Sequence, residues 1–277
     1  MSIDKCSFEN SKAGEEGGDF YVSIGRTIDI VDSKFTASSA KEGSFFYAEE
    51  IDGALSISGV QIRDIADNNN NEAVVLYTTS SSLSLTDSVL ENISSPLIML
   101  SDVKTVIENV VMNQISCSKS SHSYCLLKST ASKSLQIIDS SFTEVNSNVD
   151  LISLTNCTNV LFSDVTAQNM LKLNTEETNQ IFALNAFRVS SIIIKDSEFS
   201  KIGFSGFKVK TSLLTLQNSK FSNRLKDRLL ADAGSLSAAK LNQRIQFLVL
   251  DTSSSILKKI SFIENSDNNL VKGGVTP

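Results

Sequence analysis

One phrase returns along this chain: alternating apolar residues, then Asp or Asn, then Ser, then a large apolar residue two places on. It reads IVDSKF at 30–35, LTDSVL at 85–90, IIDSSF at 137–142, IKDSEF at 194–199 and LQNSKF at 216–221. Weaker copies are KCSF (5–8), ISGVQI (57–62), IENVVM (107–112), FSDVTA (162–167) and KISF (259–262). The closing residues are Phe8, Phe35, Ile62, Leu90, Met112, Phe142, Ala167, Phe199, Phe221 and Phe262, spaced by 27, 27, 28, 22, 30, 25, 32, 22 and 41. A unit of this size cannot bury its own apolar face, so copies must stack.

Between the phrases lies a second apolar segment, as in SFFYA (44–48), AVVLY (73–77), PLIML (96–100), YCLLK (124–128), DLISL (150–154) and QIFAL (180–184). Each repeat therefore holds two or three short strands joined by polar turns. Leucine-rich repeats need an LxxLxL phrase and a helical return, and propeller blades need about four strands in more than 40 residues. Neither fits. The expected fold is an all-β parallel β-helix of about nine or ten coils, one domain over residues 1–277. Its Phe residues would form one column and its Asp/Asn-Ser corners another.

Composition agrees with ordered β structure rich in turns. Ser, Thr and Asn number 46, 17 and 22, yet they punctuate apolar alternation instead of replacing it. A net charge of −6 and a pI near 5.0 argue against a nucleic-acid partner, since no basic stripe with aromatics is present. No apolar run is long enough for a transmembrane helix, and MSIDKCSFEN has no secretory leader pattern.

The stretch FENSKAGEEGGDFY (8–21) resembles the repeat of chlamydial polymorphic outer membrane proteins, which also occurs in large protist surface proteins. Phe8, Asn10, Ala13, Gly17, Gly18 and Tyr21 carry the match. Phe35, Ala40, Gly43 and Tyr47 carry a looser copy, and Gly273 and Gly274, with Asn265 one place late, a third. The central repeats lack Gly-Gly. The resemblance implies a right-handed parallel β-helix (pectin-lyase-like) at a cell surface, with structural or adhesive roles. With no cap-like change of pattern at either end, the chain reads as a segment of a longer array that continues on both sides.

Candidate sites are few. Asp32, Asp87, Asp139, Asp164 and Asp196 could be catalytic carboxylates, but they recur as corner punctuation and Asn218 replaces one, so turn satisfaction is the expectation. Arg63, Asp64, Asp67 and the Asn run 68–71 could form an oxygen-rich calcium loop, against a solvated loop. His122, the only His, sits in a polar loop without an acidic or nucleophilic neighbour. Cys117 and Cys125 bracket a short Ser-rich loop and suit either a disulfide or two buried thiols; no CxxC or His partner marks zinc. Asn92 and Asn156 head the sequons Asn-Ile-Ser and Asn-Cys-Thr, possible glycosylation positions. Residues 224–240 break the rhythm, with Leu225, Leu229 and Leu236 at helical spacing, and read as a helical or loop insertion that could dock a partner. No metal or cofactor is expected.

The leading functional expectation is therefore a non-enzymatic structural or adhesive segment, extracellular or at the cell surface, that binds glycans or other protein segments through its faces. The alternatives are a carbohydrate-active enzyme of the pectin-lyase-like class (lyase or glycoside hydrolase) and an intracellular scaffold.

Overall fold

The computed structural model describes residues 1–277 except 24, 41–42, 50–51, 66–73, 80–81, 118–122, 174–180, 204, 223–247, 252–253, 260, 264–270 and 273–277. Among the described residues, thirty strands form three sheets of ten, all parallel. Each turn of chain contributes one strand to each sheet, so the molecule is a parallel β-helix of ten coils. Coil 6 is typical: Ser134–Ile138 in the first sheet, Ser141–Ser147 in the second, Asp150–Thr155 in the third. The part of the insertion at 224–240, with Leu225, Leu229 and Leu236, lies outside the described residues, as do His122, Asp67 and the Asn run 68–71.

The repeated phrase is the register of the second sheet. Phe8, Phe35, Ile62, Leu90, Met112, Phe142, Ala167, Phe199, Phe221 and Phe262 pair in that order, one per coil. The spacing varies because loops vary, while the rung count does not. Ile62, Leu90, Met112 and Ala167 interrupt the aromatic column, and among the described side chains its rings stack at Phe8–Phe35 (5.1 Å) and Phe199–Phe221 (5.0 Å). In the first sheet a second column, Ile30, Ile57, Leu85, Ile107, Ile137, Phe162, Ile194 and Leu216, is buried throughout. Alternation sends the intervening residues outward, as in Ser82, Ser84 and Thr86 around Leu83 and Leu85.

The corner between the first and second sheets explains the Asp-Ser pair. Asp32, Asp87, Asn109, Asp139, Asp164, Asp196 and Asn218 all stand at φ between 47° and 57°, the left-handed region that Asp and Asn tolerate better than most residues. Gly59 takes the same place at φ 66°, where an added Cβ would collide with Asp32 Oδ1. The Ser that follows turns inward and binds two coils together. Ser140 Oγ donates to the carbonyl of Ile138 (2.7 Å) and accepts the N–H of Val110 in the coil before it (3.2 Å). Ser33, Ser88, Ser197 and Ser219 repeat both contacts. These hydroxyls satisfy backbone groups where the ladder turns and would otherwise lose partners. Every one of these five Ser residues is buried.

The third corner uses the same device. Asp102, Ala131, Asn156, Arg188 and Thr211 have positive φ, and Ser212 bridges Lys210 O (2.9 Å) and Val189 N (2.8 Å). This accounts for the two free cysteines. Cys157 donates its thiol to Thr155 O at 3.5 Å and Ser129 O at 3.4 Å, and Cys6 to Asp4 O at 3.3 Å. Each stands in a corner position that Ser fills elsewhere. Cys117 and Cys125 are bonded to each other, with Cα atoms 5.7 Å apart, joining the end of Val111–Cys117 to the start of Tyr124–Thr130. No helix among the described residues is long and apolar enough to cross a membrane.

Candidate functional site

The acids that the sequence nominates do not converge. Asp32, Asp87, Asp139, Asp164 and Asp196 form one column of corner residues, set by backbone conformation. Three of the side chains bond locally: Asp87 Oδ1 accepts from Asn109 (2.6 Å), Asp164 Oδ2 from Ser163 (2.6 Å) and Asp196 Oδ1 from Asn218 (3.0 Å). Asp64 likewise accepts from Asn92 Nδ2 at 2.5 Å, and Arg63 pairs with Glu91 at 3.3 Å. Asn92 and Asn156 are both exposed at positive φ. Two cavities inside the coil stack are almost wholly apolar, lined by core residues such as Phe199 and Phe207.

The outer face of the third sheet is different. Its central column runs Tyr21, Tyr47, Tyr77, Met99, Lys128, Ser153, Asn185, Lys208 over eight coils. The three tyrosines stack on one another, at 5.5 Å and 4.6 Å between centroids. Tyr47 is stacked on both faces. It is 4% exposed although it points outward, and its hydroxyl donates to Glu49; burial first and that carboxylate second raise its pKa. Such a ladder stiffens the sheet.

At the other end of the same face, coils 6 to 8 assemble charge chemistry around Asp150. Asp150 opens the strand Asp150–Thr155, just where the pairing with coil 5 shifts register between Tyr124 and Leu127. The shift aims its carboxylate along the sheet towards coil 7. There Oδ1 accepts the backbone N–H of Phe182 (2.8 Å) and Oδ2 accepts Asn185 Nδ2 (2.6 Å). Burial pushes its pKa up and is the largest influence; the two hydrogen bonds and the Lys208 ammonium pull it back down without cancelling the rise.

Lys208 is the cation that acts on it, and a second group of cations gathers on Phe187, which stands opposite Thr155 at the far end of the strand. Lys208 Nζ lies 5.4 Å from the Phe182 ring centre, Arg188 Cζ 4.7 Å and Lys210 Nζ 5.9 Å from that of Phe187. Each ring holds a cation by its π face. Phe187 and Lys210 are register partners, as are Asn185 and Lys208, so the group is built by stacking coil 8 on coil 7. Sequence reasoning missed it. Asp150, Asn185 and Lys208 are dispersed along the chain, and only the rung register brings them together; the signal was the third-sheet strands, had they been aligned as the phrase was.

A second buried carboxylate, Asp19, belongs to the turn Gly17-Gly18-Asp19 over coil 2. Both its oxygens are closed off from solvent, and burial raises its pKa more than the hydroxyls of Ser11 and Ser38 lower it.

No known family's sequence profile matches the chain, and no curated protein does. Solved structures similar to it include the catalytic domain of a GH87 α-1,3-glucanase in complex with tetrasaccharides, 10% identical, covering 100% of this chain and 63% of that one at a TM-score of 0.29. Another is the A-module of the mannuronan C-5 epimerase AlgE4 of Azotobacter vinelandii, 9% identical, covering 100% of this chain and 91% of that one at a TM-score of 0.25. The chain thus spans under two thirds of the glucanase domain. These structures are carbohydrate-active enzymes, which corrects two expectations from the sequence: a non-enzymatic structural or adhesive segment, and a chain that is not an enzyme. At such low similarity they transfer no residue and no substrate. The chain is a parallel β-helix repeat protein.

Proposed function

We propose that the chain is a carbohydrate-active enzyme of the pectin-lyase-like class, with the outer face of the third sheet as its substrate face and Asp150 as its proton-transferring group. The observation that carries this reading is the half-buried carboxyl of Asp150, its pKa raised, bonded to Asn185 and within the influence of the Lys208 ammonium. A carboxylate with a raised pKa is a better base and titrates nearer neutrality. Hydrolysis needs two carboxylates about 5 to 9.5 Å apart. No second carboxylate joins Asp150 among the described residues of this cluster. A base beside a cation fits β-elimination on a uronate-containing polysaccharide. The base removes the proton α to the sugar carboxylate, the Lys208 ammonium stabilises the charge that develops there, and the glycosidic oxygen at C4 leaves with the bonding pair and takes up a proton. A linear glycan lying along the solenoid axis would meet the column residues in turn. The disulfide Cys117–Cys125 supports work in an oxidising, extracellular setting.

The test is turnover on a panel of uronate and neutral polysaccharides, followed by ultraviolet absorbance of the unsaturated product. The expected result is product from a uronate polymer, and a loss of about a hundredfold or more in Asp150→Asn with unchanged circular dichroism. Equal turnover by Asp150→Asn, or no turnover of any polymer by the wild type, would reject the assignment.

A further inference from the structure

The outer face of the first sheet changes character along its length. In coils 3 and 4 it is Ser and Thr, with Thr86 Oγ1 bonded to Ser58 Oγ at 3.0 Å. In coils 5 to 8 the outward column becomes Val106, Gln136, Leu161, Ile193, and Ile138 stands in the adjacent column. These apolar side chains are half-exposed, and further along the same column Ile256 is 43% exposed. Apolar side chains on four successive coils, Val106, Ile138, Leu161 and Ile193, on a face that is Ser and Thr in coils 3 and 4, mark an interaction surface.

Its charges say what it meets. The column that holds Ile138 runs Thr86, Glu108, Ile138, Ser163, Lys195, Gln217. Glu108 and Lys195 sit symmetrically about the midpoint between coils 6 and 7. Consider a two-fold axis lying in the face, parallel to the strands, through that midpoint. It keeps each column opposite itself and reverses the coil order. Glu108 then faces Lys195 of the second copy twice over, Val106 faces Ile193, Leu161 faces Gln136, Ile138 faces Ser163, and no like charges meet among the described residues of these two columns. An isologous interface requires this self-complementarity.

We infer that the chain forms a homodimer through the outer face of its first sheet, with coil order reversed between the two copies. Coils 3 to 10 overlap, roughly 38 Å by 16 Å from strand spacing and rise, so each copy contributes about 600 Å². That is the low end for a specific interface, and the dimer is accordingly weak, on the order of micromolar. It leaves the third sheet open, so the substrate face proposed above is free in both copies, and neither proposal depends on the other.

Sedimentation velocity over a concentration series tests it, with Glu108→Lys, Lys195→Glu and the double reversal. The wild type passes from 30.1 kDa to twice that mass. Each single reversal places like charges together twice per dimer and weakens association by about tenfold or more. The double reversal restores opposite pairs and recovers association. A wild type monomeric at every concentration overturns the inference. So does a dimer indifferent to the single reversals, or a double reversal no tighter than the singles; circular dichroism confirms that all variants are folded.

Discussion

At the scale of single residues, the two halves of the Asp-Ser pair have different duties. Asp139 is there for its backbone, and Asn218 shows that Asn serves as well. Ser140 is there for its hydroxyl, which joins coil 6 to coil 5 through Val110 N–H. Ser140→Ala leaves that buried donor unpaired and is expected to cost about 1–3 kcal/mol. Asp139→Asn should cost well below that, within about 0.5 kcal/mol. Urea unfolding of the two variants decides, and equal losses would contradict the division of labour. Asp19 makes a claim with a sign. Its folded pKa lies above the ordinary 3.8, so its contribution is fully present below that value and is lost as pH rises through the folded pKa. Asp19→Asn should therefore melt close to wild type in acid and above it near neutral pH. A melting difference that does not grow with pH would exclude burial as the governing influence.

At the scale of strands, the sequence shows one sheet almost completely. The phrase ending in a large apolar residue survives because that position, from Phe8 to Phe221, faces or packs against the core and follows a corner. The third sheet was legible as strands but not as a face. Its outward residues are free to vary, and loops of unequal length hide which of them become neighbours. Asp150, Asn185 and Lys208 meet only because the register shift after Tyr124 and the unequal loops are absorbed between rungs. The dual role of Cys in the corners was hidden for a similar reason, since nothing local distinguishes Cys157 from Cys125. The strand ends separate them. Cys117 closes one strand and Cys125 begins the next, whereas Cys157 replaces a corner Ser. Peptide mapping without reductant should recover Cys117 and Cys125 in one linked pair and Cys6 and Cys157 as thiols. Any linkage that includes Cys157 would contradict its place in the corner column.

At the scale of the whole molecule, each site described depends on which residues occupy the same rung position, so the ten-coil register is the central claim. It makes a geometric demand that no other stacking of these strands meets. Lys34 and Thr166 are both exposed and belong to one column of the second sheet, in coils 2 and 7. Five rungs at the strand spacing separate them by about 24 Å between backbones. Cys6→Ser removes the exposed thiol at a position where Ser is the usual residue, and buried Cys157 can stay. Spin labels at Lys34→Cys and Thr166→Cys, measured by pulsed electron resonance, should give a single narrow distribution centred within a few ångströms of that separation after allowance for the label arms. A broad distribution, or a centre displaced by two or more rungs, would contradict the register and with it the assembly of the Asp150 site.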